Sequence, residues 1–328
     1  MGYSIRKVFQ LFFITVICLF LAGCGGGGNS SLAGGGIGGT GITASGAITG
    51  FGSIFVNGIE FETAGASRDV DGETSVSEGT DDASVLGIGM VVTVTGTLNA
   101  DGVTGTAENI QYDDAVQGPV FDIDPFTRSF TVMGISVIVQ NNTVFSNATF
   151  ENLQPYDLVE VSGFFDATGA LQATRIVRID GGVIDVEVEV KGTVTGLAGA
   201  FFVLAVDYSA ATTYSVDATA AVLPAGGLAD NQYVEVKGSL TGNVIEATRV
   251  DLKSEGFADT ANASIEGIVT DFIDIGNFRV AGQQVDASVA EFIPASLKDQ
   301  PSLIGVEVEV DGAIQGGVLM ASRVEAED

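Results

Sequence analysis

Apolar and polar residues alternate in four short segments of the chain, and each segment ends on a glycine. The segments are residues 92–96, 159–163, 234–238 and 308–312, in which valines alternate with Thr, Glu, Ser, Lys or Asp. A period of two residues is typical of a β-strand with one buried face. A shorter apolar segment follows each glycine, at 107–110, 173–176, 247–250 and 321–324, and we interpret it as the return strand of a hairpin.

The spacing of these segments indicates a tandem repeat. The glycines Gly96, Gly163, Gly238 and Gly312 lie 67, 75 and 74 residues apart. An earlier hairpin precedes each segment, and in the first copy it contains Asn57-Gly58, a strong signal for a two-residue turn. One strand and two hairpins give about five strands per copy, which favours a small OB-like barrel over the alternative of a two-sheet sandwich.

The repeat therefore predicts an all-β protein of four tandem OB-like antiparallel β-barrel modules. We place the modules at residues 46–115, 117–180, 190–254 and 264–328. A glycine-rich stretch without apolar periodicity precedes them, and we interpret residues 24–45 as a flexible tether.

The N-terminus has the layout of a secretory signal peptide at residues 1–23. Arg6 and Lys7 are followed by an apolar run at 8–21, which is too short for a helix that spans a bilayer of about 30 Å. The sequence Leu-Ala-Gly-Cys that ends at Cys24 resembles the lipobox of bacterial lipoproteins. The resemblance implies cleavage before Cys24 and lipidation of its sulfur, and Gly25 then favours export to the outer membrane of a Gram-negative bacterium. The alternative is an ordinary signal peptide that ends near a cysteine.

Charge and composition exclude several classes of function. The chain has 13 basic and 42 acidic residues and no histidine, and loss of Arg6 and Lys7 takes its net charge from −29 to −31. Such a chain repels nucleic acid and anionic membrane surfaces, so we expect no nucleic-acid partner. Because Cys18 leaves with the signal peptide and Cys24 is lipidated, no disulfide can form. The lack of histidine also disfavours zinc, haem and most general-base chemistry.

A family resemblance covers nearly the whole mature chain. The stretch 41–63 is similar to the start of uncharacterised bacterial lipoproteins whose repeat is a domain of unknown function, DUF5666. The Val-Glu-Val-x-Gly and Ala-Thr-Arg-Ile pieces also resemble that family. The similarity is clearest in copies one and two, whereas copies three and four depart in their first hairpins. The resemblance implies OB-like domains on an envelope lipoprotein and brings no catalytic residues.

Carboxylates are the remaining candidates for chemistry. Asp69, Asp71 and Glu73 resemble a fragment of a calcium loop, although a full loop needs about 12 residues and a bidentate acid. A solvated acidic loop is the favoured interpretation, so we expect no cofactor and keep calcium as an alternative. A hydrolase that uses two carboxylates is conceivable, but no pair stands out.

A glutamate and an arginine recur together in the last three copies. Hairpin arithmetic predicts that the members of each pair face each other across the strands, on the exposed side of the sheet. The predicted pairs are Glu160 with Arg175, Glu235 with Arg249, and Glu309 with Arg323. An exposed salt bridge of this kind contributes about 0.2–1 kcal/mol and mainly fixes register. The alternative is a repeated ligand-binding arginine.

These observations predict a non-enzymatic envelope lipoprotein. It would be anchored through Cys24 and would present tandem barrels as a binding or scaffolding surface for a protein or glycan of the envelope. A calcium-dependent adhesion or ligand-binding module is the alternative, and a two-carboxylate hydrolase is the third.

Overall fold

The computed structural model describes residues 41–179, 187–206, 212–254 and 256–327. These residues form 23 β-strands and three short 3-10 turns, at Asp82–Ser84, Phe150–Asn152 and Ala295–Asp299. The predicted all-β class is confirmed. In the part of the chain that the structure describes, no helix is long and apolar enough to cross a membrane.

The first module is a closed barrel of five strands. Strand β1 (Gly41–Gly50) pairs antiparallel with both β2 (Ile54–Val56) and β6 (Val91–Leu98), and β2 pairs with β3 (Ile59–Glu62). Strand β7 (Thr104–Tyr112) closes the ring, because it pairs parallel with β3 and antiparallel with β6. An extra hairpin of β4 (Ser67–Val70) and β5 (Glu73–Val76) extends from β7.

The same pairing pattern recurs in the rest of the chain and confirms the predicted OB-like barrels. The second barrel has β8 (Val116–Asp124), β9 (Ser129–Val132), β10 (Ile135–Ser146), β11 (Leu158–Phe165) and β12 (Leu171–Arg178). The third has β13 (Glu187–Ala198), β14 (Phe201–Val206), β15 (Thr213–Asp217), β16 (Tyr233–Thr241) and β17 (Val244–Leu252). The fourth has β18 (Thr260–Asp274), β19 (Asn277–Val280), β20 (Gln283–Asp286), β21 (Glu291–Ile293), β22 (Glu307–Gln315) and β23 (Val318–Ala326). The alternating valines of β6, β11, β16 and β22 fill the barrel cores.

Each glycine that ends a valine segment lies at a β-bulge, where the return strand carries one extra residue. The register shifts between Thr95 and Gly96, and at the equivalent point in the other three hairpins. A β-carbon on these glycines would lie only 2.0–2.3 Å from a carbonyl oxygen of the return strand. The affected oxygens are those of Thr106, Gln172, Glu246 and Met320. The repeat therefore needs glycine because two backbones approach closely at the bulge.

The bulge also makes the predicted glutamate–arginine register wrong. Glu160 faces Val177 rather than Arg175, Glu235 faces Asp251 rather than Arg249, and Glu309 faces Glu325 rather than Arg323. The arginines lie opposite Ser162, Lys237 and Asp311. Hairpin arithmetic fails by two residues, because the turn is displaced by one residue and the bulge adds another.

The predicted tether is wrong at its C-terminal end. Residues 41–45 belong to β1, and Ile42 and Ala44 are 4% and 0% exposed in the first core. The glycine-rich composition concealed a strand because its small residues pack closely against two neighbouring strands. The first module therefore begins at Gly41, whereas residues 24–40 lie outside the described part of the chain.

The four barrels pack against one another through contacts between modules. Strand β1 of the first module pairs parallel with β18 of the fourth, from Ile42 opposite Asn262 to Ser45 opposite Ile265. Strands β8 and β13 join the second module to the third, and these two modules share one hydrophobic core. The first and second modules are joined by Thr174, whose hydroxyl donates to the carbonyl of Gly89.

Candidate functional site

A central cavity of about 540 Å³ lies where all four modules meet. Its volume is in the range of pockets that hold small ligands. The first module contributes Thr43, Ser45, Thr93, Thr95 and Gln111, and the second contributes Phe164 and Phe165. The third contributes Lys191, Tyr233 and Lys253, and the fourth contributes Phe257, Ile268 and Thr270.

The alternating pattern of the strands explains the polar wall of this cavity. In β6, Val92 and Val94 point into the barrel, with exposures of 1% and 0%. Thr93 and Thr95 lie between and beyond them and therefore point outwards to the cavity. The polar face of β6, predicted to meet solvent, instead faces the other modules.

An ionic cluster forms one wall of the cavity and continues beneath it. At its centre is Glu235, which is 1% exposed. Lys253 Nζ lies 2.9 Å from Glu235 Oε2 and 2.8 Å from Asp113 Oδ1, and Lys191 Nζ lies 3.1 Å from Glu235 Oε1. Burial alone would raise the pKa of Glu235, but Lys191 and Lys253 outweigh it and lower the pKa to about 2.

A second group of carboxylates adjoins this cluster. Oxygen atoms of Asp71, Asp114 and Glu189 all lie within 4.8 Å of one another. Asp114 is 1% exposed, and within the described part of the chain neither of its carboxylate oxygens has a hydrogen-bond partner. Lys237 Nζ contacts Glu189 Oε2 at 2.5 Å and donates to the backbone oxygen of Asp71 at 3.0 Å. Burial is the largest cause of the raised pKa values of all three acids, about 6 for Asp71 and about 9 for Glu189.

The predicted calcium loop is divided by the structure. Asp69 Oδ1 accepts a hydrogen bond from the Gly72 backbone in a tight turn, and Glu73 is exposed. Asp71 instead points towards the link between modules one and two, where the Asp114 amide donates to its Oδ1 at 3.2 Å. Among the described residues, the group of acids that could share an ion combines Asp71 with Asp114 and Glu189.

Sequence reasoning missed Asp114 and Glu189 because both sit in positions that a single barrel would expose. Asp114 lies in the short link between β7 and β8, and Glu189 occupies a polar position of the alternating strand β13. Packing between modules buries both side chains, to 1% and 5% exposure. The Asp113-Asp114 pair between two modules was the available signal.

The paired glutamates and arginines make different contacts in the three copies. In the fourth copy, Arg323 Nη1 lies 3.8 Å from Glu309 Oε1, a diagonal contact, and 3.0 Å from Asp311 Oδ2. In the third copy, Glu235 is buried among lysines and Arg249 bonds Asp251 at 2.5 Å.

In the second copy, Glu160 accepts a hydrogen bond from the Tyr112 hydroxyl, while Arg175 donates to the Ile88 carbonyl and the Ser146 hydroxyl. The structure therefore does not have three equivalent exposed salt bridges, because Glu160 bonds Tyr112 of the first module and Glu235 is buried among lysines of its own module. Cys24 lies outside the described residues.

Comparisons with known proteins identify the repeat. The family model described as Domain of unknown function (DUF5666) matches residues 117–177, 191–251 and 266–325, together more than half of the chain. The match confirms the predicted tandem repeats, and it includes copies three and four, in which the first hairpins were expected to depart. The first copy lies outside the matched ranges.

Other comparisons add little. The chain is similar to a solved structure titled "drosophila Unr CSD456", with 13% identity over 52% of this chain and 79% of that chain. The TM-score is 0.19, so this similarity carries no argument. No curated protein matches.

Proposed function

The chain belongs to the DUF5666 family, and we propose that it is a non-enzymatic lipoprotein of the cell envelope that binds a ligand in its central cavity. The observation that carries this proposal is that all four modules contribute walls to one cavity of about 540 Å³. A ligand there would contact residues that lie far apart in the sequence, so one ligand could touch all four modules at once.

The lining favours a polar, uncharged ligand with apolar faces. Hydroxyl groups of Thr43, Ser45, Thr93 and Thr95 and the amide of Gln111 line one side, and phenylalanine rings line another. The ammonium groups of Lys191 and Lys253 are already paired with Glu235. Glycans combine hydroxyl groups with apolar ring faces, so we take an envelope glycan as the ligand class.

The acids with the most perturbed pKa values support a non-enzymatic role. Glu189 and Glu235 differ widely in pKa, about 9 against about 2, a separation that acid–base catalysts also use. Their side chains are only 5% and 1% exposed, however, and lie in a junction between modules. A substrate could not reach them there, so we assign them to structure rather than to hydrolysis.

Photo-crosslinking from the cavity tests this function in the intact lipoprotein. A photoreactive residue at Thr93, in the cavity, should give one dominant product in the native envelope. The same residue at Thr74, exposed on β5, is the control and should not give that product. Soluble glycan fragments of the same envelope should suppress the Thr93 product.

Two results would contradict the proposal. Identical products from Thr93 and Thr74 would show that the cavity is not the binding site. A protein product that is insensitive to glycan fragments would show that the ligand is not a glycan.

Cys24→Ala should abolish fatty-acid labelling and release the protein from the membrane fraction. Unchanged labelling would overturn the anchor.

A further inference from the structure

We propose that Asp71, Asp114 and Glu189 bind one calcium ion at the junction of the first three modules. This inference is independent of the cavity ligand and goes beyond the proposed function. Asp71 comes from the turn of the β4–β5 hairpin, Asp114 from the link between modules one and two, and Glu189 from the third module. The ion would join three modules at one point.

The geometry suits a calcium ion. One oxygen from each of the three acids lies within 4.8 Å of the other two. Calcium binds carboxylate oxygens at about 2.3–2.6 Å, so ligand atoms up to about twice that distance apart can touch the same ion. Carboxylate and carbonyl oxygens are the ligands that hard cations of this kind prefer.

The Asp114 side chain provides a separate reason to expect a ligand. It is 1% exposed, and neither of its carboxylate oxygens has a hydrogen-bond partner among the residues that the structure describes. Burial of an unpaired carboxylate is strongly unfavourable. The nearby ammonium groups relieve it only in part. Lys191 attracts the Asp114 carboxylate but donates its hydrogen bond to the Asp114 backbone oxygen, and Lys237 contacts Glu189 Oε2 and the Asp71 backbone oxygen.

The net charge of the junction also favours a bound cation. The six acids are Asp71, Asp113, Asp114, Glu160, Glu189 and Glu235. The three bases that contact them are Lys191, Lys237 and Lys253. With every group ionised the junction carries a net charge of −3, and one calcium ion reduces this to −1. Protonation is the competing way to remove the charge, since burial raises the pKa of Asp114 well above its ordinary value.

Terbium luminescence and thermal unfolding of the mature chain, residues 24–328, test the site. The full sequence has six tyrosines and no tryptophan, and five of the tyrosines lie in residues 24–328. Tyr112, whose hydroxyl bonds Glu160 beside the site, should sensitise bound terbium, and calcium should quench the emission by displacement. Calcium at about 100 times its dissociation constant should raise the melting temperature by about 5 °C, because it binds only the folded state.

Two variants distinguish binding at this site from nonspecific binding of calcium to an acidic chain. Asp114→Asn should abolish the terbium emission and the calcium-dependent rise in melting temperature. Asp69→Asn is the matched control, because Asp69 lies two residues from Asp71 in the same hairpin but its carboxylate serves the Gly72 turn. It should leave both signals unchanged.

The site is overturned if calcium fails to stabilise the wild-type chain, whatever the variants do. It is also overturned if Asp114→Asn responds to calcium as the wild type does, or if Asp69→Asn loses the response equally. A wild-type chain that is stabilised by acidification but not by calcium would show that protons, not a metal, neutralise the junction.

Discussion

Replacing Gly163 with alanine is expected to destabilise the protein by about 3 kcal/mol, because an added methyl group cannot be accommodated at the bulge. The new β-carbon would lie 2.2 Å from the carbonyl oxygen of Gln172 and 3.0 Å from the α-carbon of Ala173. Both are backbone atoms of the paired strand β12, so relief requires the hairpin to separate. Urea unfolding of the mature chain, residues 24–328, measures the loss of stability.

The control for this substitution is Gly226→Ala. A β-carbon at Gly226 meets no atom of the described residues within 4 Å, and its φ is outside the left-handed region, so the change should cost less than about 0.5 kcal/mol. Equivalent substitutions at Gly96, Gly238 and Gly312 should resemble Gly163→Ala. Equal stability of the Gly163 and Gly226 variants would show that the bulge is not a fixed element of the repeat.

Replacing Glu235 with glutamine should cost about 3 kcal/mol at pH 7, since it leaves buried ammonium groups without their carboxylate. Lys191 and Lys253 lie 3.1 and 2.9 Å from its oxygens, and Glu189 remains to compensate only in part. The folded pKa of about 2 is below the ordinary 4.5, so this stabilisation is complete above pH 4.5 and disappears as the pH falls towards 2. The penalty of Glu235→Gln should shrink over the same range.

The repeat supplies a matched control at Glu309. It occupies the same place in the fourth copy, but burial and Asp311 raise its pKa to about 7. Glu309 is therefore only about half ionised at pH 7, so Glu309→Gln removes less charge than Glu235→Gln, and we expect a change below about 1 kcal/mol. Urea unfolding between pH 3 and pH 8 compares the two variants. If both cost the same at pH 7, the lysine cluster around Glu235 does not form in solution.

The barrel could be predicted from the sequence because the alternation of apolar and polar residues depends only on which face of a single strand is buried. Val92 and Val94 are buried and Thr93 is not, as a period of two requires. The hairpin register could not be predicted, since the bulges at Gly163 and its equivalents add a residue that leaves no mark on the alternation. A glycine at the end of each valine segment was visible, but the close approach that requires it was not.

The candidate site could not be predicted because it depends on packing between modules. Glu235 occupies a polar strand position that was expected to face solvent, yet it is 1% exposed and lies among Lys191, Lys237 and Lys253. The sequence offered Asp71 as a metal candidate with its neighbours Asp69 and Glu73, whereas the structure places Asp71 beside Asp114 and Glu189. A repeat period describes each module alone and does not report which module faces which.

The packing of the first module against the fourth is the central claim, and disulfide trapping between these two modules tests it most directly. Thr43 and Ala263 face each other in the parallel pairing of β1 with β18. Adjacent strands bring α-carbons within the range that a disulfide spans, about 4.4–6.8 Å. In a chain carrying Cys24→Ser, Thr43→Cys with Ala263→Cys should form an intramolecular disulfide almost completely under mild oxidation. Ser75→Cys with Ala263→Cys, at the far end of the same sheet, should not. Failure of the first pair to oxidise would mean that modules one and four do not meet, and the cavity would lose a wall.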